Sequence, residues 1–281
     1  MSNWYRNGEP VTGISPDDRG LQYGDGLFET IAIRDGKPRL WPMHVDRLTK
    51  GCRRLGIGMP EARRLQEELL RAVQQADVDR ARCVTKIVVT AGTGARGYGR
   101  PDAGQGAVTI GVFDARPVDH AAYRNGVETI ICRTRLATPS ATAGLKTLNR
   151  LEQVLSAREC QDIGVFEGLN LDADGRLICG TMSNVFIVTD QRIVTPALDR
   201  CGVEGVMRRL VLEALPQAGF DVDVRDLDVT ALDDAEEVFL SNSQFGILPV
   251  ARCAARSWDR FDVTRRAMKQ MATLGIEECA A

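Results

Sequence analysis

The chain has 281 residues, 44% hydrophobic and 26% charged, so its length allows about two domains and its composition is typical of globular proteins. It carries 36 basic and 38 acidic residues, a net charge of −2, and neither sign forms a long run. This balance argues against a nucleic-acid partner, and no stretch approaches the roughly 20 apolar residues that span a membrane.

Cysteine and histidine usage argues against a metal centre. The two nearest of the eight cysteines, Cys160 and Cys179, are 19 positions apart, and the only histidines are His44 and His120. The first residues show no charged run followed by an apolar segment, so we expect no secretion signal. Scattered cysteines without such a signal predict a reducing cytoplasm.

Strand and helix patterns alternate irregularly along the chain. Strand patterns cover residues 4–6, 27–34, 38–41, 83–90, 107–113, 127–133, 165–171, 177–178, 185–188, 192–195, 220–224 and 237–240. Helix patterns cover residues 44–55, 62–76, 205–215 and 263–274, with a further helix that carries Leu151, Val154 and Leu155 on one face. Since strict βαβ alternation is missing, we expect an α+β fold of two sub-domains.

Residues 114–125 have no clear period and predict a connection between domains. We therefore expect a smaller N-terminal domain at residues 1–118 and a larger C-terminal domain at residues 119–281.

A glycine-rich segment, Gly92-Thr93-Gly94-Ala95-Arg96-Gly97, follows an apolar strand and matches the dinucleotide-binding pattern. The residues after it, through Gly104, do not favour the helix whose N-terminus would bind a pyrophosphate. The sequence therefore favours a loop over a nucleotide site, with Arg96 and Tyr98 as candidates to contact a ligand.

Lys146 has the most unusual surroundings of the five lysines. It lies among small and apolar residues just before a helix, where partial burial would lower its pKa and permit a Schiff base. Arg47, one helical turn after His44, is a candidate to bind an anion. Each residue also has an ordinary interpretation, as a charged side chain whose stem lies on the surface.

Two later segments offer donors for an anion. Residues 202–208 open a helix, which leaves the backbone N–H groups of Val206 and Met207 available. Residues 241–246 form a polar turn with hydroxyl groups. Together with a lysine and an arginine, these are the groups needed to bind a phosphorylated aldehyde cofactor.

The chain resembles the fold-type IV pyridoxal-phosphate enzymes, which include branched-chain aminotransferases, D-amino-acid transaminases and 4-amino-4-deoxychorismate lyases. The matching segments run in the same order over nearly the whole chain: residues 18–30, 44–48, 94–98, 144–153, 180–186, 202–208 and 241–250. The lysine segment with its tail Asn149-Arg150-Leu151-Glu152-Gln153 is most similar to the lyases.

The resemblance implies pyridoxal 5'-phosphate as cofactor and a homodimer of two-domain subunits. It implies that Lys146, in the C-terminal domain, forms the Schiff base. The phosphate would be bound by Arg47, by the backbone of Val206 and Met207, and by Ser243.

For the reaction, the resemblance implies conversion of 4-amino-4-deoxychorismate to 4-aminobenzoate and pyruvate, with Arg96, Tyr98 and Asn242 facing the substrate. One position departs from the family pattern, because Cys179 stands where many members have a glutamate that pairs with the pyridine nitrogen. A neutral thiol is a poor partner for a pyridinium. An amino-acid transaminase, and more remotely an inactive dimeric binding protein, stay open as alternatives.

Overall fold

A computed structural model describes residues 3–94, 96–100 and 106–280. The chain divides into two compact units, the first made of Met1–Arg116 and Leu145–Asn149, the second of Pro117–Gly144 and Arg150–Ala281. The lysine-bearing segment is therefore part of the first unit. The boundary at 118/119 between independently folding domains stays a prediction.

The first unit is built on an antiparallel sheet of six strands in the order β2-β1-β6-β5-β3-β4. Its strands are β1 (Trp4–Arg6), β2 (Glu9–Pro10), β3 (Gly26–Arg34), β4 (Lys37–Pro38), β5 (Arg82–Thr90) and β6 (Ala107–Asp114). Its helices are α1 (Arg19–Tyr23), α2 (Trp41–Leu55) and α3 (Ala62–Gln75).

Alternation along β3 and β5 places every second residue in a core under α2 and α3. Ile31, Ile33, Ile87, Leu65 and Leu69 are fully buried there. The strand predicted at residues 38–41 is wrong beyond its first position, because α2 already begins at Trp41, with a proline in its first turn, where the missing N–H costs nothing.

The segment Leu145–Asn149 lies alongside the start of β3. The backbone N–H of Phe28 donates to Lys146 O at 3.0 Å, and the N–H of Leu148 donates to Gly26 O at 3.0 Å. The side-chain amide of Asn149 donates to Gly24 O at 3.0 Å. These bonds fix the backbone of Lys146 against β3.

The second unit contains a mixed sheet of ten strands in the order β12-β11-β10-β14-β15-β7-β8-β9-β13, with β16 beside β15. Its strands are β7 (Val127–Leu136), β8 (Glu167–Asp172), β9 (Arg176–Gly180), β10 (Asn184–Thr189), β11 (Arg192–Pro196), β12 (Val222–Arg225), β13 (Leu227–Asp228), β14 (Glu237–Asn242), β15 (Gly246–Cys253) and β16 (Arg256–Ser257). Its helices are α4 (His120–Asn125), α5 (Leu151–Ile163), α6 (Val206–Gln217) and α7 (Asp262–Thr273), with 3-10 turns at Val229–Leu232 and Glu277–Ala280.

The predicted α+β class is confirmed, and one more local prediction changes. The stretch expected to be a connection contains α4, which the side chain of Asp119 caps by accepting from Ala121 N at 2.7 Å. On α5 the apolar face is not in the core, since Leu151, Val154 and Leu155 are 71%, 60% and 47% exposed. No helix in the described part of the chain is long and apolar enough to cross a membrane.

Candidate active site

Lys146 shares an aromatic neighbour with a second lysine. Its Nζ lies 4.3 Å from the ring centroid of Phe28, and Nζ of Lys86 lies 4.7 Å from the same centroid. Lys86 is on β5 directly opposite Thr30, on the sheet face that also carries Phe28. Burial lowers the pKa of Lys86. Two amines of the first unit therefore flank one phenyl ring.

Arg47 is anchored by a buried carboxylate on the other face of β3. Its Nε donates to Glu29 Oε1 at 2.8 Å, and His44 Nδ1 lies 2.6 Å from Glu29 Oε2. Burial by itself raises the pKa of Glu29, but Arg47 and His44 outweigh it and lower the pKa to about 2. Because Glu29 is ionised, Nδ1 of His44 carries the proton that it donates. Burial is also the main cause of the lowered pKa of His44, to which the charge on Lys146 contributes.

Arg96 and Tyr98 are both exposed, and Tyr98 is 88% exposed. The Tyr98 ring contacts the ring of Tyr23 with their centroids 5.5 Å apart. Much of the glycine-rich loop, Ala95 and residues 101–105, lies outside the described residues. Both side chains belong to the first unit, and both are accessible to a ligand.

The first turn of α6 offers backbone N–H groups of the kind that bind anions. The N-cap residue, Gly205, has no side chain to accept from the first turn, so the N-cap position leaves the N–H groups of Val206 and Met207 uncapped. Gly205 precedes the helix, and a Cβ there would come within 2.0 Å of Asn184 Oδ1. The amide of Asn184 also donates to Val203 O at 3.0 Å, which fixes the turn that leads to the helix.

The polar turn after β14 is shaped by Asn242. Its Oδ1 accepts from Gln244 N at 2.8 Å and from Phe245 N at 3.0 Å, and its Nδ2 donates to Met182 O at 3.4 Å. Ser243 lies within this turn, and its hydroxyl is 3.5 Å from Gln244 Nε2. The side chain of Asn242 is therefore occupied with backbone groups of its own unit.

Cys179 is buried on β9, opposite Asn170 on β8. Burial raises the pKa of its thiol to about 12, so the thiol is neutral at neutral pH. A buried carboxylate, Glu167, accepts hydrogen bonds from Ser183 Oγ at 2.8 Å and from the N–H and hydroxyl of Thr181. Burial raises the pKa of Glu167. Glu167 thus holds the turn between β9 and β10 in place.

The predicted site residues fall into two groups. Lys146, Arg47, Arg96 and Tyr98 belong to the first unit, and Cys179, Val206, Met207, Asn242 and Ser243 belong to the second. Sequence reasoning missed Glu29, Lys86 and Glu167. A signal existed for Glu29, which takes the same alternating positions on β3 as buried Leu27 and Ile31, where a charge needs a partner.

The chain matches the family model "Amino-transferase class IV" over residues 26–253. It is 37% identical to an aminodeoxychorismate lyase of Vibrio harveyi, covering 89% of this chain and 90% of that relative. The crystal structure of 4-amino-4-deoxychorismate lyase from Pseudomonas aeruginosa is 42% identical, with a TM-score of 0.89 over 96% of this chain and 98% of that one.

An aminotransferase from Brucella abortus bound to pyridoxal phosphate is 19% identical and shares the fold, with a TM-score of 0.83 over 96% of this chain and 98% of that one. The family match covers most of this chain, and the Vibrio relative exceeds 30% identity over nearly all of it. The chain therefore belongs to the class IV aminotransferase family.

Proposed function

We propose that this enzyme is an aminodeoxychorismate lyase, which converts 4-amino-4-deoxychorismate to 4-aminobenzoate and pyruvate for folate synthesis. The observation that carries the proposal is its identity of 37–42% to two such lyases over most of the chain. A putative branched-chain-amino-acid aminotransferase of Methanocaldococcus jannaschii is more distant, at 30% identity over 88% of this chain.

The donor groups on the chain fit pyridoxal 5'-phosphate. Lys146 offers a primary amine on a backbone segment that is hydrogen-bonded to β3, and Arg47 offers a guanidinium oriented by Glu29. The N–H groups of Val206 and Met207, at a helix start whose N-cap residue is glycine, and the hydroxyl of Ser243 are suited to phosphate oxygens. This set matches a ligand with one aldehyde and one phosphate, and the Brucella neighbour binds that cofactor.

When bound, pyridoxal phosphate supplies an aldehyde for the Schiff base and a ring that absorbs negative charge. Lys146 has two tasks in the reaction. With the cofactor bound, its amine would remove the proton from the amine-bearing ring carbon as general base. It would then return that proton to the methylene carbon of the enolpyruvyl group as the ring carbon–oxygen bond breaks, which gives pyruvate and leaves an aromatic ring.

Cys179 suits an elimination better than a transamination. Because its buried thiol is neutral, it offers no anion to hold a proton on a pyridine nitrogen. Transamination depends on a strongly stabilised carbanion, whereas aromatisation of the product drives the elimination. The resemblance supports Cys179 as a neutral neighbour of the cofactor.

The substrate has two carboxylates, and the first unit offers cations for them. Arg96 is suited to bidentate pairing with one carboxylate, and Tyr98 to a hydrogen bond. Lys86, beside the same phenyl ring as Lys146, is a further cation of the first unit. Asn242 contributes through the turn that it shapes.

We further infer that the enzyme is a homodimer. Leu151, Val154 and Leu155 form an exposed apolar stripe on α5, which is a candidate interaction surface. A second copy of the chain would cover it.

All eight cysteines are buried free thiols, which supports a reducing cytoplasm as the compartment.

The test is incubation of the purified protein, loaded with pyridoxal phosphate, with 4-amino-4-deoxychorismate and no amino acceptor. We expect equimolar pyruvate and 4-aminobenzoate, and loss of both products and of the Schiff-base absorbance in Lys146→Ala. Lys50→Ala, at an exposed lysine of α2, is the matched control and should keep full activity.

Two outcomes would contradict the proposal. If the protein binds the cofactor but forms neither product, the lyase assignment is wrong. If it transfers amino groups between D- or L-amino acids and keto acids and leaves the chorismate derivative unchanged, it is a transaminase.

A further inference from the structure

A buried arginine, Arg19, binds the backbone of the loop that carries Arg96 and Tyr98. Arg19, at the first position of α1, is only 4% exposed. Its guanidinium donates to the backbone carbonyls of three successive loop residues: to Gly97 O at 2.9 Å, Tyr98 O at 2.9 Å and Gly99 O at 3.3 Å. One side chain thus fixes the path of the backbone from 97 to 99.

The guanidinium is itself held from the other side. Its Nε donates to Asp25 Oδ2 at 2.9 Å, and its Cζ lies 4.9 Å from the ring centroid of Tyr23. Asp25 also accepts from Arg100 Nε at 2.8 Å, and Arg100 donates to Gly56 O at 3.1 Å. Burial raises the pKa of Asp25, but Arg100 and Arg19 outweigh it and lower the pKa, so the carboxylate stays ionised. A planar group with five donors suits this arrangement, and lysine does not.

The glycines of the dinucleotide-like motif fit around this guanidinium. A Cβ on Gly94 would meet Arg19 Cδ at 3.1 Å, so glycine leaves room for the arginine stem. Gly97 has φ +108°, a conformation that L side chains rarely adopt, and its carbonyl is one that Arg19 binds. Contacts with Arg19 therefore account for two of the motif's three glycines, Gly94 and Gly97.

We propose that Arg19 is a positioning residue that sets the affinity of the enzyme for its substrate. With the three carbonyls turned toward the guanidinium, the side chains of Arg96 and Tyr98 are exposed, where they meet the substrate carboxylates. This inference rests on the proposed function for its readout in KM. The backbone geometry that it invokes is testable without any catalysis.

The experiment uses the holoenzyme and compares Arg19→Gln and Arg19→Lys with the wild type. We expect Arg19→Gln to raise KM for 4-amino-4-deoxychorismate about tenfold or more with kcat within about twofold, because the loss is of substrate positioning. Arg19→Lys keeps the charge beside Asp25 and should recover part of the loss. The Schiff-base absorbance should be unchanged in both.

Limited trypsin digestion measures how accessible the backbone of this loop is to a protease. Trypsin can cleave this loop after Arg96, at the Arg96–Gly97 bond. It does not cleave after Arg100, because the next residue is proline. We expect cleavage at this bond to be about tenfold faster in Arg19→Gln than in the wild type, relative to cleavage at the exposed Arg80–Ala81 bond. Arg64→Gln, at an exposed arginine of α3, is the control and should change neither KM nor the cleavage ratio.

Gly97→Ala is a second variant that disturbs the same contact from the loop side, and it decides the question if Arg19→Gln does not fold. A folded, cofactor-bound variant with wild-type KM and wild-type cleavage at Arg96 would overturn the inference. Faster cleavage in a protein whose wild type has no lyase activity would support the loop contact and reject the proposed function instead.

Discussion

Replacing Glu29 with glutamine tests whether the buried carboxylate of the first unit stabilises the fold. Glu29 is 1% exposed and interacts with His44 and Arg47. Glutamine keeps the shape of the side chain and removes the charge. The substitution therefore isolates the electrostatic contribution from packing.

The magnitude follows from the pKa of Glu29, which is lowered from 4.5 to about 2 in the folded protein. One pKa unit corresponds to about 1.36 kcal/mol, so the ionised carboxylate contributes about 3 kcal/mol to the free energy of unfolding. Loss of one partner from a buried ion pair costs about 3–5 kcal/mol in other proteins, which agrees. We expect Glu29→Gln to lower the free energy of unfolding by about 3 kcal/mol at neutral pH.

The lowered pKa of Glu29 determines how its contribution to the free energy of unfolding changes with pH. Because the folded pKa is lower than the unfolded one, the stabilisation is fully present above pH 4.5 and is lost as the pH falls toward 2. The difference between wild type and Glu29→Gln should therefore shrink as the pH is lowered from about 5 to about 3.

Urea unfolding followed by tryptophan fluorescence measures this difference. In a Trp258→Phe background the remaining tryptophans, Trp4 and Trp41, both lie in the first unit. Glu67→Gln, at an exposed carboxylate of α3 that pairs with Arg63 at 3.0 Å, is the control and should change stability by less than about 0.5 kcal/mol. A loss below about 1 kcal/mol in Glu29→Gln, or a loss that does not vary with pH, would refute the reasoning.

Three further predictions concern the cofactor, the substrate and the dimer. Ser243→Ala should weaken pyridoxal-phosphate binding about tenfold in equilibrium dialysis, since a hydrogen bond to a charged group is lost; unchanged binding would remove Ser243 from the phosphate site. Lys86→Met should raise KM for the substrate about tenfold without changing the Schiff-base absorbance, and an unchanged KM would contradict the carboxylate assignment. Leu155→Arg should convert dimers to monomers in sedimentation equilibrium, whereas Leu274→Arg, at another exposed leucine of the second unit, should not.

Most of the regular structure could be predicted because its signals are local. The alternation along β3 and β5 and the three-and-four spacing on α2 and α3 survive in the structure, since these elements bury one face. The stripe on α5 has the same spacing but is exposed, because periodicity identifies an apolar face and does not say what covers it.

The candidate site was predictable where a residue lies in a distinctive segment and not where long-range pairing creates its surroundings. Lys146 stands out among small and apolar neighbours, and the bare start of α6 follows from its glycines. The place of Lys86 in the candidate site cannot be predicted from its own segment, because only the pairing of β5 with β3 brings it beside Phe28. Arg19 likewise depends on a contact with residues 97–99, far along the chain, that no local pattern reveals.

The membership of Leu145–Asn149 in the first unit limits how this protein can be cut and recombined. A chimaera joined at Arg116 would take β3 from one parent and the segment that pairs with it from the other. The two parents would have to match closely, because a Cβ on Gly24 would meet Asn149 Oδ1 at 2.4 Å and one on Gly26 would meet Leu148 Cδ1 at 2.8 Å. During synthesis, too, the first unit stays incomplete until the ribosome has reached Asn149.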